Sequence, residues 1–268
     1  MGDLLDLKLD EDIRILNLEA APTLSINLNT NKFIKYHVNL NNLPGLFSQF
    51  TQPYVLSLAN NHSLDMGSFA LLQETLPYVN NIVGVGQTPE EAYYPFILGD
   101  IAVFAFGAGC AGVPPNWASN LAYLPPIINS NNVSIAFDTI RAAIDKFQPY
   151  KYTIISIHWG PNESRHNDGQ IHRVDLARRL TDELNITLIY GHSSHHMRGL
   201  ELYKERLIIY GAGDFVNDYE NIPANYDRTG ALFILDYDDI TLQDLQVIPF
   251  EMKHLQCIRI TDPQRIQL

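Results

Sequence analysis

The chain has 268 residues, of which 46% are hydrophobic and 18% are charged, so it can bury a sizeable core and is too apolar for a disordered protein. Its formal net charge of −12 disfavours a nucleic-acid partner or a polybasic membrane surface. Two cysteines, Cys110 and Cys257, cannot supply a disulfide framework.

The beginning of the sequence differs from a targeting segment. Residues 1–14 mix acidic and basic residues with short leucine runs, whereas a signal peptide has a basic start and a continuous apolar stretch. No run of about eighteen uncharged apolar residues occurs further along the chain. We therefore expect a cytoplasmic protein with no membrane insertion in this chain.

Short runs rich in Val, Ile, Leu and Tyr alternate with helical intervals, which is typical of a layered α/β or α+β protein. Strands are predicted at 13–18, 55–59, 82–85, 101–107, 153–158, 187–190, 207–210 and 232–236. Helices are predicted at 69–78, 137–147 and 172–185, and residues 107–132 form one long ordered loop. With no linker or repeat in view, we expect one domain over residues 1–268.

The last predicted helix should bury one apolar side and expose its arginines. The apolar side consists of Val174, Leu176, Leu180 and Leu184. The outward residues are Arg173, Arg178 and Arg179.

Polar residues stand where the predicted strands end, and in an open sheet such carboxyl ends share one crevice. These residues are Asn17, Glu19, Asn60, Asn61, His62, His158, His192 and Asp214. Six of the nine histidines lie between His158 and His196, a clustering that a structural role for histidine does not predict. The alternative is that strands simply end in polar residues.

The segment from Ser57 to Gly67 leads an apolar strand into Asn61, His62 and Asp65. An amide oxygen and a neutral imidazole both ligate divalent metals, and Asp65 could hold the His62 ring in one tautomer. Turn chemistry with Asp65 as a helix cap is an equal alternative.

Three further positions complete the set of candidate ligands. His158 ends a strand that then turns on a glycine; His192 and His195 follow another strand, where Gly191 lets the backbone bend. Glu19 offers a carboxylate that could bridge two cations. Each position also has a structural alternative. His158 could be a core histidine, His192 and His195 could belong to a polar loop, and Glu19 could be an exposed acid. Together with Asn61, these residues suit Mn²⁺, Fe²⁺ or Zn²⁺ better than Ca²⁺.

These segments resemble the bacterial capsule-synthesis (poly-γ-glutamate synthesis) CapA family, whose domain is related to calcineurin-like metallophosphatases. The resemblance covers nearly the whole chain and rests on six blocks in order. They are Asn17-Leu-Glu19, Ala59-Asn-Asn-His-Ser-Leu-Asp65-Met-Gly67, Gly84-Val-Gly86, Ser156-Ile-His158-Trp-Gly160, Gly191-His192-Ser-Ser-His195 and Ile209-Tyr-Gly-Ala-Gly-Asp214-Phe215.

The resemblance implies a four-layer sandwich of two β-sheets packed face to face and flanked by helices, with one or two divalent metal ions at the strand ends. Glu19 would bridge the metals. One metal would be held by Asn61, His158 and His192, and the other by His195. His62 would be the general acid, oriented by Asp65. Substrate contacts are assigned to Asn60, His196 and Asp214.

One motif of the family is missing. Its members usually open with a strand ending in Gly-Asp-x-Met-x-Gly-Arg, whose aspartate ligates a metal. Here Gly2-Asp3 lacks both the preceding apolar strand and the rest of the motif. We expect the chain to begin after this motif, to lack the first strand and to have impaired activity.

By this resemblance, the expected function is capsule or poly-γ-glutamate synthesis, with a metal-dependent phosphoesterase-like site acting on a phosphoester or an anionic polymer. Two alternatives remain open. The same metals could hydrolyse amides of a γ-linked glutamate polymer, or the fold could serve as a non-catalytic assembly or export factor.

Overall fold

The computed structural model describes residues 11–27, 32–48, 50, 52–114, 127–128, 132–147, 149–161, 170–217, 229–253 and 256–261. The Gly2-Asp3 segment and most of the predicted loop 107–132 lie outside these residues.

Strands dominate the described part of the chain. They are β1 (Arg14–Asn17), β2 (Ala21–Thr23), β3 (His37–Asn39), β4 (Tyr54–Ser57), β5 (Ile82–Val83), β6 (Phe96–Leu98), β7 (Ile101–Ala108), β8 (Ile127–Ile128), β9 (Tyr152–His158), β10 (Leu188–His192), β11 (Leu200–Tyr203), β12 (Arg206–Ile209), β13 (Thr229–Asp238), β14 (Thr241–Lys253) and β15 (Gln256–Arg259). The α-helices are Leu43–Phe47, Ser68–Ala70, Leu76–Tyr78, Val133–Ile144 and Gln170–Leu184, with a π-helical turn at Leu71–Thr75. Short 3-10 helices occur at Leu40–Asn42, Glu91–Tyr93 and Gly109–Ala111.

The strands that the structure describes form four sheets. The largest has the order β11-β12-β10-β9-β7-β6, with β8 beside β7, and its β7, β9, β10 and β12 run parallel. A second, parallel sheet has the order β1-β4-β5, and an antiparallel sheet has the order β13-β14-β15. Strands β2 and β3 form a small parallel pair. The protein is thus a mixed α/β structure of several sheets and few helices, consistent with the α+β prediction.

Helices cover one face of the large sheet. Strand β9 is a nearly continuous apolar run, as expected for a strand buried on both faces. Its Ile155 and Ile157 are fully buried in a cluster with Phe137 of Val133–Ile144 and Leu176 of Gln170–Leu184. This face therefore owes its burial to the two longest helices.

The other face of the large sheet packs against the β1-β4-β5 sheet. Val55 of β4 and Val83 of β5 share a buried cluster with Val103 of β7 and Ile154 of β9. Two sheets in direct apolar contact bring the carboxyl ends of β1, β4, β9 and β10 toward one edge of the molecule.

The predicted strands are confirmed, each to within a few residues. The apolar runs of β4, β7, β9, β10 and β12 coincide with mostly buried positions, whereas β1 is only partly buried. The helix predicted at 137–147 begins earlier, at Val133, because the side chain of Asn132 accepts a hydrogen bond from the Ile135 N–H and caps it. The hairpin of β13 and β14 is longer than the single strand predicted at 232–236. Strand β14 was not predicted, since exposed polar residues interrupt its apolar run.

The predicted apolar side of the last helix is confirmed: Leu176 and Leu180 are fully buried, and Val174 and Leu184 pack against the same cluster. The outward prediction for Arg173 is wrong. Its exposed fraction is 2%, because its guanidinium packs closely over Gly160, whose positive φ and missing Cβ leave the space.

Among the helices that the structure describes, none has both the length and the apolar character needed to cross a bilayer.

Candidate metal centre

The predicted site residues follow the ends of paired strands. Glu19 comes two residues after β1, and Asn61 and His62 follow β4, which pairs in parallel with β1. His158 and His192 are the last residues of β9 and β10 and stand opposite each other in the parallel register. Sheet pairing thus brings side chains distant in sequence to one edge.

Glu19 is the centre of this group. Its Oε1 atom lies 3.7 Å from His158 Nε2, 3.8 Å from His195 Nε2 and 3.9 Å from His62 Nε2. The Glu19 side chain is only 14% exposed. Its Oε2 accepts a hydrogen bond from Asn17 Nδ2, whereas Oε1 is buried and accepts none from the residues that the structure describes.

Two of these three rings are held from the outside by carboxylates. His62 Nδ1 lies 2.5 Å from Asp65 Oδ2, and His195 Nδ1 lies 2.9 Å from Asp214 Oδ2. A carboxylate is an acceptor, so each pair is satisfied when Nδ1 carries the ring proton. The Nε2 atoms then point their lone pairs toward Glu19.

The third ring, His158, belongs to a chain of polar contacts. Its Nε2 lies 3.0 Å from Asn61 Oδ1, and its Nδ1 lies 2.8 Å from His192 Nδ1. The other nitrogen of His192, Nε2, lies 3.0 Å from Ser156 Oγ. Both His192 nitrogens therefore lie within hydrogen-bonding distance of other side chains, and ligation of an ion by either nitrogen would displace one of these contacts.

Burial sets the charge states of the group. It raises the pKa of Glu19 from 4.5 to about 7, an effect that His195 opposes and Asp214 reinforces. Burial also lowers the pKa of His192 to about 3 and holds that of His158 well below its ordinary value. Both imidazoles are thus neutral at pH 7, the form that can ligate a metal.

The structure adds a cation that the sequence did not indicate. Lys32 Nζ donates to the carbonyl oxygen of Asn61 at 2.6 Å and to Asp65 Oδ1 at 2.8 Å, and lies 3.0 Å from His62 Nδ1. The Tyr36 N–H donates to Asp65 Oδ2 at 2.6 Å, and the Tyr36 ring lies 4.0 Å from that of His62. No spacing in the sequence links Lys32 or Tyr36 to the strand ends.

The remaining predicted residues lie around the group. Asn60 is fully buried: its Nδ2 donates to the Leu18 carbonyl, and its Oδ1 accepts from the His62 N–H. Asn60 thus shapes the turn after β4, and its contact with substrate stays a prediction. His196 is half-buried, and its carbonyl accepts a hydrogen bond from Ser194 Oγ. Its contact with substrate also stays a prediction.

The carboxylate and imidazole donors around Glu19 are of the types that bind a divalent ion, and the distances between Glu19 Oε1 and the three Nε2 atoms are slightly longer than such an ion requires. A tetrahedral ion with bonds of about 2.1 Å needs ligands about 3.4 Å apart, so the rings would close on Glu19 by a few tenths of an ångström. Correspondingly, no three His, Cys, Asp or Glu side chains of the described residues already stand as an ion-holding set. A buried carboxylate oxygen without a hydrogen bond, facing three imidazole nitrogens, is the feature that a cation would satisfy.

Comparison with known proteins gives a consistent relationship. Residues 1–219 match the family described as "Bacterial capsule synthesis protein PGA_cap". Two probable polyglutamine synthesis accessory proteins of Mycobacterium tuberculosis, from strains CDC 1551 / Oshkosh and ATCC 25618 / H37Rv, are each 29% identical to this chain over 269 residues. Those alignments cover 92% of this chain and 68% of each relative.

Two more distant similarities were found. The capsule biosynthesis protein CapA of Bacillus anthracis is 26% identical over 181 residues, which are 61% of this chain and 40% of CapA. The crystal structure of a hypothetical protein from Thermus thermophilus has a TM-score of 0.48 and 12% identity, over 80% of this chain and 82% of that protein. A TM-score of this size does not assign a fold.

Proposed function

The chain belongs to the bacterial capsule synthesis protein family, and on this premise we propose that it is a polyglutamate or capsule synthesis accessory protein with a metal-dependent phosphoesterase site at Glu19. The observation that carries the proposal is the convergence of the Nε2 atoms of three histidines on one buried oxygen of Glu19. Carboxylate, amide and imidazole donors in one place suit Mn²⁺, Fe²⁺ or Zn²⁺.

The packing supports the finer fold proposal, a calcineurin-like four-layer sandwich. The β1-β4-β5 sheet packs on one face of the large sheet, whose other face carries the two longest helices. On the far side of the small sheet, Leu58 and Leu56 form clusters with Leu71 and Val79 of the helical segment around Ser68–Tyr78. This order of helices, sheet, sheet and helices is the one that the family resemblance implies.

Glu19, Asn61, His158 and His195 would hold the ion, and His192 stays a predicted fifth ligand. Bound there, a divalent ion supplies Lewis acidity and lowers the pKa of a water molecule. Glu19 would contribute the negative charge of the set, and a neighbouring cation would oppose the effect of burial, which raises the pKa of Glu19. The rings of His158 and His192 are neutral, so ligation would need no net loss of a proton. His158 would move its proton to Nδ1, because its Nε2 now donates to Asn61 Oδ1.

His62 is the proposed general acid. Asp65 holds its Nδ1, which leaves Nε2 on the side of Glu19, where a leaving group would emerge. A proton at Nε2 makes the ring an imidazolium; burial lowers the pKa of His62, and the adjacent Asp65 carboxylate opposes that effect by favouring the charged ring. Lys32 anchors that carboxylate through a contact at 2.8 Å, so the acid keeps its orientation when the proton departs.

The proposal is tested on the purified chain with Mn²⁺ or Zn²⁺, using a bis-aryl phosphodiester and poly-γ-glutamate as separate substrates. We expect metal-dependent phosphodiester hydrolysis, reduced about 10²–10⁴-fold in His62→Ala. His172→Ala is the matched control, because His172 is exposed on the helix Gln170–Leu184 and should keep the wild-type rate.

Each outcome separates the candidate functions. If the protein cleaves poly-γ-glutamate and not the phosphodiester, amide hydrolysis is the reaction of this site, and the phosphoesterase proposal is wrong. Stoichiometric metal binding without hydrolysis of either substrate would favour a non-catalytic assembly factor, a role that the accessory proteins named among the relatives allow. A protein that binds neither ion would refute the proposed centre.

A further inference from the structure

Asp214 makes a two-oxygen contact with the ring of His195. Its Oδ1 and Oδ2 lie 3.0 and 2.9 Å from His195 Nδ1, and Asn217 Nδ2 donates to Oδ2 at 2.5 Å. The opposite nitrogen of the same ring, Nε2, is the one that lies 3.8 Å from Glu19 Oε1. A line of contacts therefore runs from Asn217 through Asp214 and His195 to Glu19.

The backbone fixes Asp214 where this contact forms. Gly213, the preceding residue, has a φ of +73°, a conformation that glycine adopts without strain. Gly230 of β13 lies so close that a Cβ there would overlap the Asp214 carbonyl oxygen. Two positions without side chains thus hold Asp214 between the end of the large sheet and the β13-β14-β15 sheet.

We propose that Asp214 is a positioning residue that sets the tautomer of His195 and so makes its Nε2 available to a divalent cation. This role differs from the substrate contact expected from the sequence, and it rests on the proposed metal centre. With the proton on Nδ1, both Asp214 oxygens accept, and the Nε2 lone pair faces Glu19. With the proton on Nε2, the Nδ1 lone pair would face a carboxylate and the donor to the ion would be lost.

The pair formed by His62 and Asp65 provides an internal comparison. It has the same pattern, a carboxylate on Nδ1 and an Nε2 facing Glu19, yet its carboxylate is anchored by Lys32 and the Tyr36 N–H. A change at Asp65 should therefore alter the tautomer of His62 and leave that of His195 unchanged. Asp214 should show the converse.

The test uses the full chain, with nitrogen-15 NMR of the histidine rings in the metal-free protein and calorimetric titration with Zn²⁺. Asp214→Ala should move the His195 proton from Nδ1 toward Nε2 and weaken Zn²⁺ binding about 10–100-fold. Asp214→Asn retains an acceptor oxygen, so it should restore most of the tautomer and part of the affinity. Asp244→Ala, at an exposed site on β14, controls for the loss of one negative charge.

The outcomes keep the inference apart from the proposed function. If the wild-type protein binds Zn²⁺ and Asp214→Ala binds it equally well with an unchanged His195 tautomer, the inference is overturned while the metal centre stands. If the wild-type protein binds no Zn²⁺, the metal centre fails, and an unaltered His195 tautomer in folded Asp214→Ala overturns the positioning role as well. Loss of the fold in Asp214→Ala leaves Asp214→Asn to decide, because its tautomer must match that of the wild type if an acceptor is what matters.

Discussion

Replacing Glu19 by Gln is expected to stabilise the metal-free protein at neutral and alkaline pH. Burial raises the pKa of Glu19 from 4.5 to about 7, so the folded state holds this proton more tightly than the unfolded chain does. Each pKa unit corresponds to about 1.4 kcal/mol, and the ionised carboxylate therefore costs the fold about 3 kcal/mol. Glutamine has a similar shape and carries no charge to desolvate.

The sign gives the pH window. For an acid whose pKa is raised on folding, stability is lost as the pH rises from the unfolded value through the folded one, here from 4.5 to about 7. Between about pH 5 and pH 8, the free energy of unfolding of the wild type should fall by about 2.5 kcal/mol more than that of Glu19→Gln. Taking the difference between the two proteins removes titrations that they share.

The assay is urea unfolding of both proteins at the two pH values, with a chelator and then with saturating Zn²⁺. A cation at Glu19 should remove most of the difference at the higher pH, because ligand at about 100 times its dissociation constant stabilises the wild type by about 2.7 kcal/mol and the variant by less. If the stability difference between the two proteins is the same at both pH values, Glu19 is not the buried, uncompensated carboxylate described above.

Two further predictions test the framework that carries the site. Ile155→Ala, in the fully buried centre of β9, should lower the free energy of unfolding by about 2–5 kcal/mol. Its control, Ile97→Ala, lies at a site that is 48% exposed and should change the free energy of unfolding by about 0.5 kcal/mol or less. Chemical denaturation measures both values. Gly191→Ala should lower the free energy of unfolding by about 3 kcal/mol, since its Cβ would stand 2.5 Å from the Ile209 carbonyl oxygen. Its control, Gly45→Ala, has open space around the new Cβ and should leave the stability unchanged or raise it slightly. Equal midpoints within either pair would contradict the packing.

The sequence by itself determined the strands of the core and the kinds of residue at their ends. Nearly continuous apolar runs such as Ile101–Phe106 are needed only where a strand is covered on both faces, and the polar residue that follows such a strand must then stand at the sheet edge. Ser156 could also have been found, because it lies two residues before His158 and alternation places both on the same face of β9.

Only the tertiary structure decided which atoms face one another. Sequence spacing does not specify which nitrogen of His195 turns toward Glu19, since that depends on Asp214, which arrives from another strand end. It also did not indicate Lys32, whose ammonium reaches Asp65 across a separation of 33 residues. Arg173 is a case in which the local pattern misled. Helical periodicity predicts that its side chain is exposed, whereas the guanidinium is buried in the space that Gly160 leaves by having no side chain. The spacing of apolar residues along the sequence indicates whether a segment is a strand or a helix and which of its faces is buried. Contacts between distant segments depend on how the two sheets pack, and that packing cannot be predicted from the spacing within one segment.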